Sequence, residues 1–358
     1  APVTLLGIDI GTTHGKAGLF DLNGRTLYVA SRENPVHHNP GGFAFYEPQE
    51  VWKLVMELMG EVVGWGQRSG SGAVQAIGIA SMAESGLLAD RQSGLERSVM
   101  LPWFDPLATA QANYMRERFG LKERFLASGL RLSFKCSLAK ILWWRQRDPA
   151  VLEEAVWLSA AETIAYRLCG AFGTDASLGV RTGAMRIDND PVAVWDREFL
   201  AALGLEERLF PPVFPAGAAL GGLLEKWAQP GLPAGTPVAV CGHDHICAAF
   251  AAEALLGSGY VLDSMGTAES LVGAMERRAL GETEWQSGFS IGWHVQPGKL
   301  YWASGLSTSG GAVEWLRGIL GDPPLSYAEL EALMAQAPDR PGEVIFLPYL
   351  AGSGAPHN

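Results

Sequence analysis

The sequence predicts an α/β protein with two domains that share a cleft. Its 358 residues exceed the length of one ordinary domain and suit two. The N-terminal part predicts three strands, then a helix, then a further strand. A hairpin motif near the N-terminus has a second copy after residue 259, a distance too long for a solenoid repeat. Together these observations predict mixed sheets flanked by helices.

The first elements are bounded by turn residues. Apolar runs at 5–10, 16–20 and 25–30 are separated by short turns that contain Gly, Asn or Thr, the pattern of an antiparallel meander. Pro48 opens a segment whose apolar residues recur at helical spacing. The run at 74–80 predicts the next strand.

Each copy of the hairpin contains a Gly-Thr turn. The first turn is Gly11-Thr12, and the second is Gly266-Thr267. A turn of this kind exposes successive backbone N–H groups and a hydroxyl group, which can bind an anion without a lysine. The first hairpin matches neither the P-loop pattern nor the dinucleotide-binding pattern. Two such turns could bind one polyphosphate, whereas either turn alone could simply close its hairpin.

Composition argues against several classes of partner. The chain has 27 Lys and Arg against 38 Asp and Glu, a net charge of −11, and no basic stripe that would bind nucleic acid. No apolar stretch reaches the roughly 18 residues that span a bilayer, so we expect no membrane partner. The few cysteines lie in apolar stretches, which is typical of reduced thiols and predicts a cytoplasmic protein.

A zinc site is the less favoured interpretation of one short segment. Cys241 and Cys247 are too far apart for the usual C-x-x-C pattern. We therefore interpret His243 and His245, which lie between them, as structural residues.

Two aspartates stand where strands are predicted to end. Asp9 closes the strand 5–10, where an ionised side chain needs a partner such as Mg²⁺. Asp244 lies between a strand at 238–240 and an Ala-rich helix at 246–256. Its carboxylate could accept the proton of an attacking hydroxyl group, or it could cap the helix, and the spacing does not separate these roles.

Seven segments in chain order resemble the FGGY family of carbohydrate kinases, within the wider sugar-kinase and actin superfamily. They include the family's two phosphate motifs and its catalytic Gly-x-Asp element. The segments are 7–17, 41–52, 173–183 followed by Trp195-Asp196, 242–244, 264–267, 309–316 and 346–356.

The resemblance implies an actin-like, ribonuclease H-like two-domain ATPase fold. Residues 1–253 would form an N-terminal sugar-binding domain that carries the first phosphate hairpin. Residues 254–358 would form the start of a C-terminal nucleotide-binding domain, because family members continue well past the last matching motif. We expect this second domain to be incomplete, and the apolar surface left exposed to make a homodimer possible.

The activity implied is transfer of the γ-phosphate of Mg-ATP to a hydroxyl group of a sugar or polyol. Asp244 would be the general base, and Asp9 would help to hold Mg²⁺. The residues expected at the nucleotide are Thr12, Thr13, His14, Lys16, Gly266, Thr267, Gly310 and Glu314. Those expected at the sugar are Met82, Ala83, Glu84, Trp103, Asp105, His243 and Asp244.

The substrate is not specified by these segments. Glycerol kinases carry an Arg-Glu pair where this chain has Ala83-Glu84, which argues against glycerol. The Met-His pair of xylulose kinases is also absent, because Ala83 follows Met82. Two further alternatives are a catalytically inactive sugar-binding protein derived from such a kinase and, less favoured, a chaperone-like or cytoskeletal ATPase.

Overall fold

The structure is a computed structural model. It describes residues 3–187, 192–257, 259–266, 268–338, 340, 342–350 and 352–355. Thr267 lies outside the described residues, as do Ala351 and Pro356 of the last matching segment.

Strands and helices of the described residues alternate along the chain. The strands are β1 Thr4–Ile10, β2 His14–Asp21, β3 Thr26–Glu33, β4 His37–His38, β5 Ala44–Phe45, β6 Val74–Ser81, β7 Gly86–Asp90, β8 Ala155–Ser159, β9 Thr174–Asp175, β10 Met185–Arg186, β11 Val194–Trp195, β12 Val213–Phe214, β13 Ala219–Gly222, β14 Pro237–His243, β15 Leu262–Met265, β16 Glu269–Glu276, β17 Ser290–Trp293 and β18 Lys299–Leu306. The helices are α1 Pro48–Ser69, α2 Thr109–Phe119, α3 Leu121–Ser128, α4 Ser137–Arg147, α5 Ala160–Cys169, α6 Ala176–Arg181, α7 Arg197–Ala202, α8 Asp244–Leu256, α9 Glu282–Gln286, α10 Gly310–Leu320 and α11 Tyr327–Met334.

A six-stranded mixed sheet has the strand order β13-β14-β6-β1-β2-β3. Strands β1, β2 and β3 form an antiparallel meander, as the sequence predicts. Strands β14, β6 and β1 run parallel to one another, so their carboxyl ends lie at one edge of the sheet. The predicted order of three strands, a helix and a strand is confirmed for the longer elements, but the two-residue strands β4 and β5 lie between β3 and α1.

Helix α1 covers the meander. Its buried residues recur at helical spacing along one face, from Val51 to Val63. The helix begins at Pro48, whose fixed φ suits a first turn, and ends before Gly70 in a left-handed conformation with a φ of 73°. Strand β2 approaches α1 so closely that a Cβ at Gly15 would lie 2.9 Å from a methyl carbon of Leu54. A larger residue at position 15 would force the Leu54 side chain to shift.

A second, four-stranded antiparallel sheet has the order β15-β16-β18-β17. Its first pair, β15 and β16, is the predicted second hairpin, with Leu262 opposite Val272. Leu300 and Tyr301 of β18 belong to the same apolar cluster as residues of α2, α3 and α4. The predicted division into 1–253 and 254–358 stays a prediction, and the two parts share this cluster.

Helix α10 has an exposed apolar face. Trp315, Ile319 and Leu320 are each more than two-fifths exposed. The homodimer suggested by the sequence stays a prediction.

Among the described residues, no helix combines the length and the apolar character needed to cross a membrane.

Candidate active site

The carboxyl ends of β1, β6 and β14 converge on one region. Ile10 of β1 pairs with Ser81 of β6, and Ser81 pairs in turn with His243 of β14. The Met82 N–H donates to the carbonyl oxygen of Ile10 at 2.9 Å, which ties the segment after β6 to the end of β1. This edge is where parallel sheets usually bind ligands. It brings together six predicted site residues: Asp9, Met82, Ala83, Glu84, His243 and Asp244.

Hydrogen bonds to its backbone carbonyl groups hold the turn of the first hairpin in place. Asn34 donates to two of them, from its side-chain amide to Gly11 O and from its backbone N–H to Thr13 O, each at 2.9 Å. The Tyr46 hydroxyl donates to the third, Thr12 O, at 2.8 Å.

In a trans peptide, a C=O group and the next N–H point in opposite directions. The N–H groups of Thr12 and Thr13 therefore point away from Asn34 and Tyr46. Neither N–H has a hydrogen-bond partner among the described residues. The turn thus presents two unpaired donors, as an anion site requires.

Other residues of this hairpin lie near the turn. Trp103 donates from Nε1 to Thr12 Oγ1 at 2.9 Å, which connects a predicted sugar residue to a predicted phosphate residue. His14 is exposed, with its Nδ1 3.2 Å from Thr13 Oγ1. Lys16 is exposed on β2, directly across from Asp9 in the strand register.

Asp9 carries an unsatisfied carboxylate oxygen. Its Oδ1 atom is buried and has no hydrogen-bond partner among the described residues. Burial and the nearby Asp244 carboxylate together raise the pKa of Asp9 to about 6, although Lys16 and His245 lower it. A buried, unpaired carboxylate beside a second carboxylate is a site that fits a divalent cation.

Asp244 is the first residue of α8 and follows β14 directly. The N-cap position belongs to His243, so Asp244 does not have the capping role that the sequence left open. One carboxylate oxygen of Asp244, Oδ1, accepts the His245 N–H at 2.7 Å and lies 3.2 Å from His243 Nε2. No described residue donates to the other oxygen, Oδ2. Burial raises the pKa of Asp244, which makes it a stronger base.

His243 is electrically neutral near pH 7. Burial lowers its pKa well below the usual value, and His245 and Arg181 lower it further. Its Nδ1 atom is buried without a partner among the described residues. Its Nε2 atom lies 3.2 Å from Asp244 Oδ1.

The histidines next to Asp244 could also contribute to a metal site. Ligand atoms of His243, Asp244 and His245 all lie within 4.8 Å of one another. The sequence interpretation of both histidines as structural residues missed this proximity, and neither nearby cysteine belongs to the group.

Asp105 makes hydrogen bonds to the backbone through both carboxylate oxygens. Its Oδ2 accepts the Ala44 N–H at 2.6 Å, and its Oδ1 accepts the Leu107 N–H at 2.8 Å. These bonds hold the segment after Trp103 against the N-terminal part of the chain. The carboxylate is thus already engaged, and its predicted contact with the sugar stays a prediction.

The second hairpin meets the start of α10. The Gly266 N–H donates to Ala268 O at 2.9 Å, and the Gly310 N–H donates to Gly266 O at 2.9 Å. Ser309 Oγ donates to Glu269 Oε2 at 3.0 Å. A backbone hydrogen bond thus joins two predicted nucleotide residues, Gly266 and Gly310.

Glu314 is exposed on α10. Arg317 donates to both of its carboxylate oxygens at 2.7 Å, and Tyr327 donates to one of them. These donors lower the pKa of Glu314. Its predicted place near the nucleoside stays a prediction.

Sequence reasoning missed several residues that shape the site. Asn34 and Tyr46 hold the phosphate hairpin, although neither stands next to it in the chain. Arg181 pairs with Glu84 from α6. A buried asparagine at a strand end and an arginine inside an apolar segment are the only local signals, and neither identifies its partner.

Comparison with known proteins places this chain in a family. A model described as the N-terminal domain of the FGGY family of carbohydrate kinases matches residues 4–251. A glycerol kinase of Thermus brockianus is 32% identical over 370 aligned positions, which cover 99% of this chain and 70% of that protein. A xylulose kinase of Bacillus subtilis is 25% identical, with 99% of this chain and 69% of that protein covered.

Solved structures agree with this placement. The crystal structure of gluconate kinase from Lactobacillus acidophilus superposes with a TM-score of 0.85 at 20% identity, covering 98% of this chain and 69% of that one. The predicted actin-like fold is confirmed by this likeness. As expected from the motifs, these relatives are longer than the chain. The match to the family model over 4–251, together with the glycerol kinase relative, shows that the chain belongs to the FGGY family of carbohydrate kinases.

Proposed function

We propose that the chain transfers the γ-phosphate of Mg-ATP to a hydroxyl group of a sugar or polyol, with Asp244 as the general base. The observation that carries this proposal is the unbonded Oδ2 atom of Asp244, at the sheet edge where the Thr12 and Thr13 N–H groups are also unpaired. Transfer to an alcohol requires a proton acceptor beside a site for the phosphate charge.

The roles follow from the positions of these groups. The substrate hydroxyl group lies against Asp244 Oδ2 and gives up its proton as the oxygen attacks the phosphorus atom. The His245 N–H holds the other oxygen, which orients the carboxylate. The hairpin N–H groups bind the phosphate oxygens, and catalysis consists largely of alignment and charge stabilisation.

The remaining assignments complete the two subsites. The nucleotide would contact Thr12, Thr13, His14, Lys16, Gly266, Thr267, Gly310 and Glu314. The sugar or polyol would contact Met82, Ala83, Glu84, Trp103, Asp105, His243 and Asp244.

Asp9 would hold Mg²⁺ through its unpaired Oδ1 atom. The orphaned oxygen and the raised pKa both fit a group that a cation would satisfy. When bound, the cation would offset negative charge on the phosphates.

The test is ADP release from Mg-ATP, measured across glycerol, xylitol, D-xylulose and D-gluconate. The Asp244→Asn variant should reduce kcat by at least about 100-fold, because the amide accepts no proton, while sugar binding is largely kept. Asp148→Asn is the matched control. Asp148 is exposed and caps a short 3₁₀ turn through its side chain, a role that Asn fills equally well.

Two results would contradict the proposal. Full turnover in Asp244→Asn would exclude this residue as the base. Sugar binding by the wild type with no ADP release on any of the four compounds would favour the catalytically inactive sugar-binding protein.

A further inference from the structure

Glu84 and Arg181 form a buried ion pair beside the proposed sugar subsite. Arg181 Nε donates to Glu84 Oε1 at 2.8 Å, and Arg181 Nη2 donates to the same oxygen. The Glu84 side chain is only 8% exposed and the Arg181 side chain only 16%. Burying two charges gives little net stability, so such a pair more often serves a specific arrangement. The proposed phosphoryl transfer does not itself use Arg181.

Glu84 is held in an unfavourable backbone conformation. Its φ is 59°, in the left-handed region that a residue with a Cβ rarely adopts. The Ser137 hydroxyl donates to the Glu84 carbonyl oxygen at 3.3 Å, and the Ser85 N–H closes a tight turn onto Ala83 O at 2.7 Å. Such strain persists only where the surroundings fix it, and it is concentrated at functional sites.

The pairing leaves one carboxylate oxygen of Glu84 available. Both Arg181 donors go to Oε1, and no described residue donates to Oε2. A carboxylate paired with a guanidinium accepts hydrogen bonds and donates none. The preceding residues, Met82 and Ala83, are buried and apolar, so their side chains offer no competing donor.

Arg181 also reaches the second sheet. Its Nη1 lies 3.5 Å from the hydroxyl oxygen of Tyr301, a fully buried residue of β18. Burial raises the pKa of Tyr301, so the phenol stays neutral and can accept this hydrogen bond. Tyr301 fits closely against Gly292 of β17, where a Cβ would lie 2.6 Å from its ring. The guanidinium is therefore fixed between Glu84 and a rigid tyrosine.

We propose that Arg181 is a positioning residue that presents Glu84 Oε2 to a substrate hydroxyl group, with Tyr301 fixing the guanidinium. The bound compound must then carry a hydroxyl group at this point. This inference rests on the proposed function, because it assigns a task in substrate selection to the same cleft.

The test separates substrate binding from folding. Arg181→Lys keeps the charge but lacks the planar guanidinium whose Nε and Nη2 both donate to Glu84 Oε1. Tyr301→Phe removes only a hydroxyl group and keeps the packing. Arg124→Lys is the matched control, because Arg124 forms another buried pair, 2.8 Å from Asp196 Oδ2, at the start of α7.

The readouts are thermal shifts with glycerol, xylitol, D-xylulose and D-gluconate, and the Michaelis constants for sugar and ATP. Arg181→Lys should raise the sugar Kd and KM by about 10- to 100-fold, the effect of misplacing one charged hydrogen-bond partner. Tyr301→Phe should raise both by about 3-fold. The ATP KM should stay within about 2-fold in both variants, and Arg124→Lys should change neither constant.

The outcomes distinguish the inference from the proposed function. An unchanged sugar Kd in folded Arg181→Lys overturns the inference and leaves the kinase proposal standing. Wild-type binding without ADP release, lost in Arg181→Lys, supports the inference and rejects the kinase activity. If none of the four compounds shifts the wild-type melting temperature, both are overturned.

Discussion

Replacing Lys16 by Met should change how activity depends on pH. Lys16 lies across from Asp9 in the strand register and lowers the pKa of that carboxyl group. With Lys16 present, burial and Asp244 still raise the Asp9 pKa to about 6. As pH falls through this value the carboxylate is protonated and can no longer hold a cation. Activity should therefore fall on the acid side.

The size of this effect follows from the pKa. For a group with a pKa of about 6, about nine-tenths is ionised at pH 7 and about one-tenth at pH 5. Wild-type kcat/KM should thus be about 10-fold lower at pH 5 than at pH 7, since kcat/KM reports the free enzyme. Losing the Lys16 charge should raise the pKa of Asp9, so the fall in activity on the acid side, the acid limb, should move to higher pH.

The assay is coupled ADP release at subsaturating Mg²⁺, measured from pH 5 to pH 8. Lys53→Met is the control, because Lys53 is exposed on α1, where its neighbouring carboxylate is Glu57. The Lys16 side chain is also proposed to contact nucleotide, so the variant can lose activity at every pH. Only the position of the limb tests the reasoning. Superimposable limbs, or a limb that moves to lower pH, would refute it.

Two further substitutions test how the site is held. Asn34→Ala removes the side-chain amide that donates to Gly11 O. It should lower the free energy of unfolding by about 1–2 kcal/mol and raise the ATP KM several-fold, while the sugar KM stays unchanged. Gln75→Ala is the control, because it removes an exposed side-chain amide that donates a hydrogen bond to the backbone. Equal effects of the two substitutions on stability and on the ATP KM would contradict the role assigned to Asn34. Gly242→Ala would place a Cβ 2.5 Å from Ser177 Oγ, at a position where Gly242 has a φ of 132°. The substitution should lower the free energy of unfolding by about 2 kcal/mol or more and greatly reduce kcat. Thermal unfolding and ADP release measure both effects, and a stable, active Gly242→Ala would show that this backbone is free to relax.

Local elements of the fold could be predicted because their hydrogen bonds and apolar spacing are local. The meander β1–β3, helix α1 and the second hairpin all follow from periodicity and turn residues within short windows. The alternation of buried residues in β1 and the proline that opens α1 are of this kind.

The role of Asp244 shows the limit of sequence spacing. General base and helix cap were equally compatible with a carboxylate between a strand and a helix. A helix boundary is uncertain by one or two residues from sequence, and here α8 begins at Asp244 itself. Because the helix starts there, Asp244 is not its N-cap, and one oxygen of its carboxylate has no hydrogen-bond partner among the described residues.

By itself, the sequence predicted the first meander, α1, the second hairpin, the two aspartates near strand ends, and the order of the family's motifs. Only the tertiary structure decided which carboxylate groups already have hydrogen-bond partners within the chain. Asp105 is engaged by backbone N–H groups, whereas Asp9 and Glu84 each keep a free oxygen. The physical reason is that a hydrogen bond depends on separations of about 3 Å between atoms that can be far apart in sequence. Arg181 reaches Glu84 across 97 residues, and no local pattern encodes that contact.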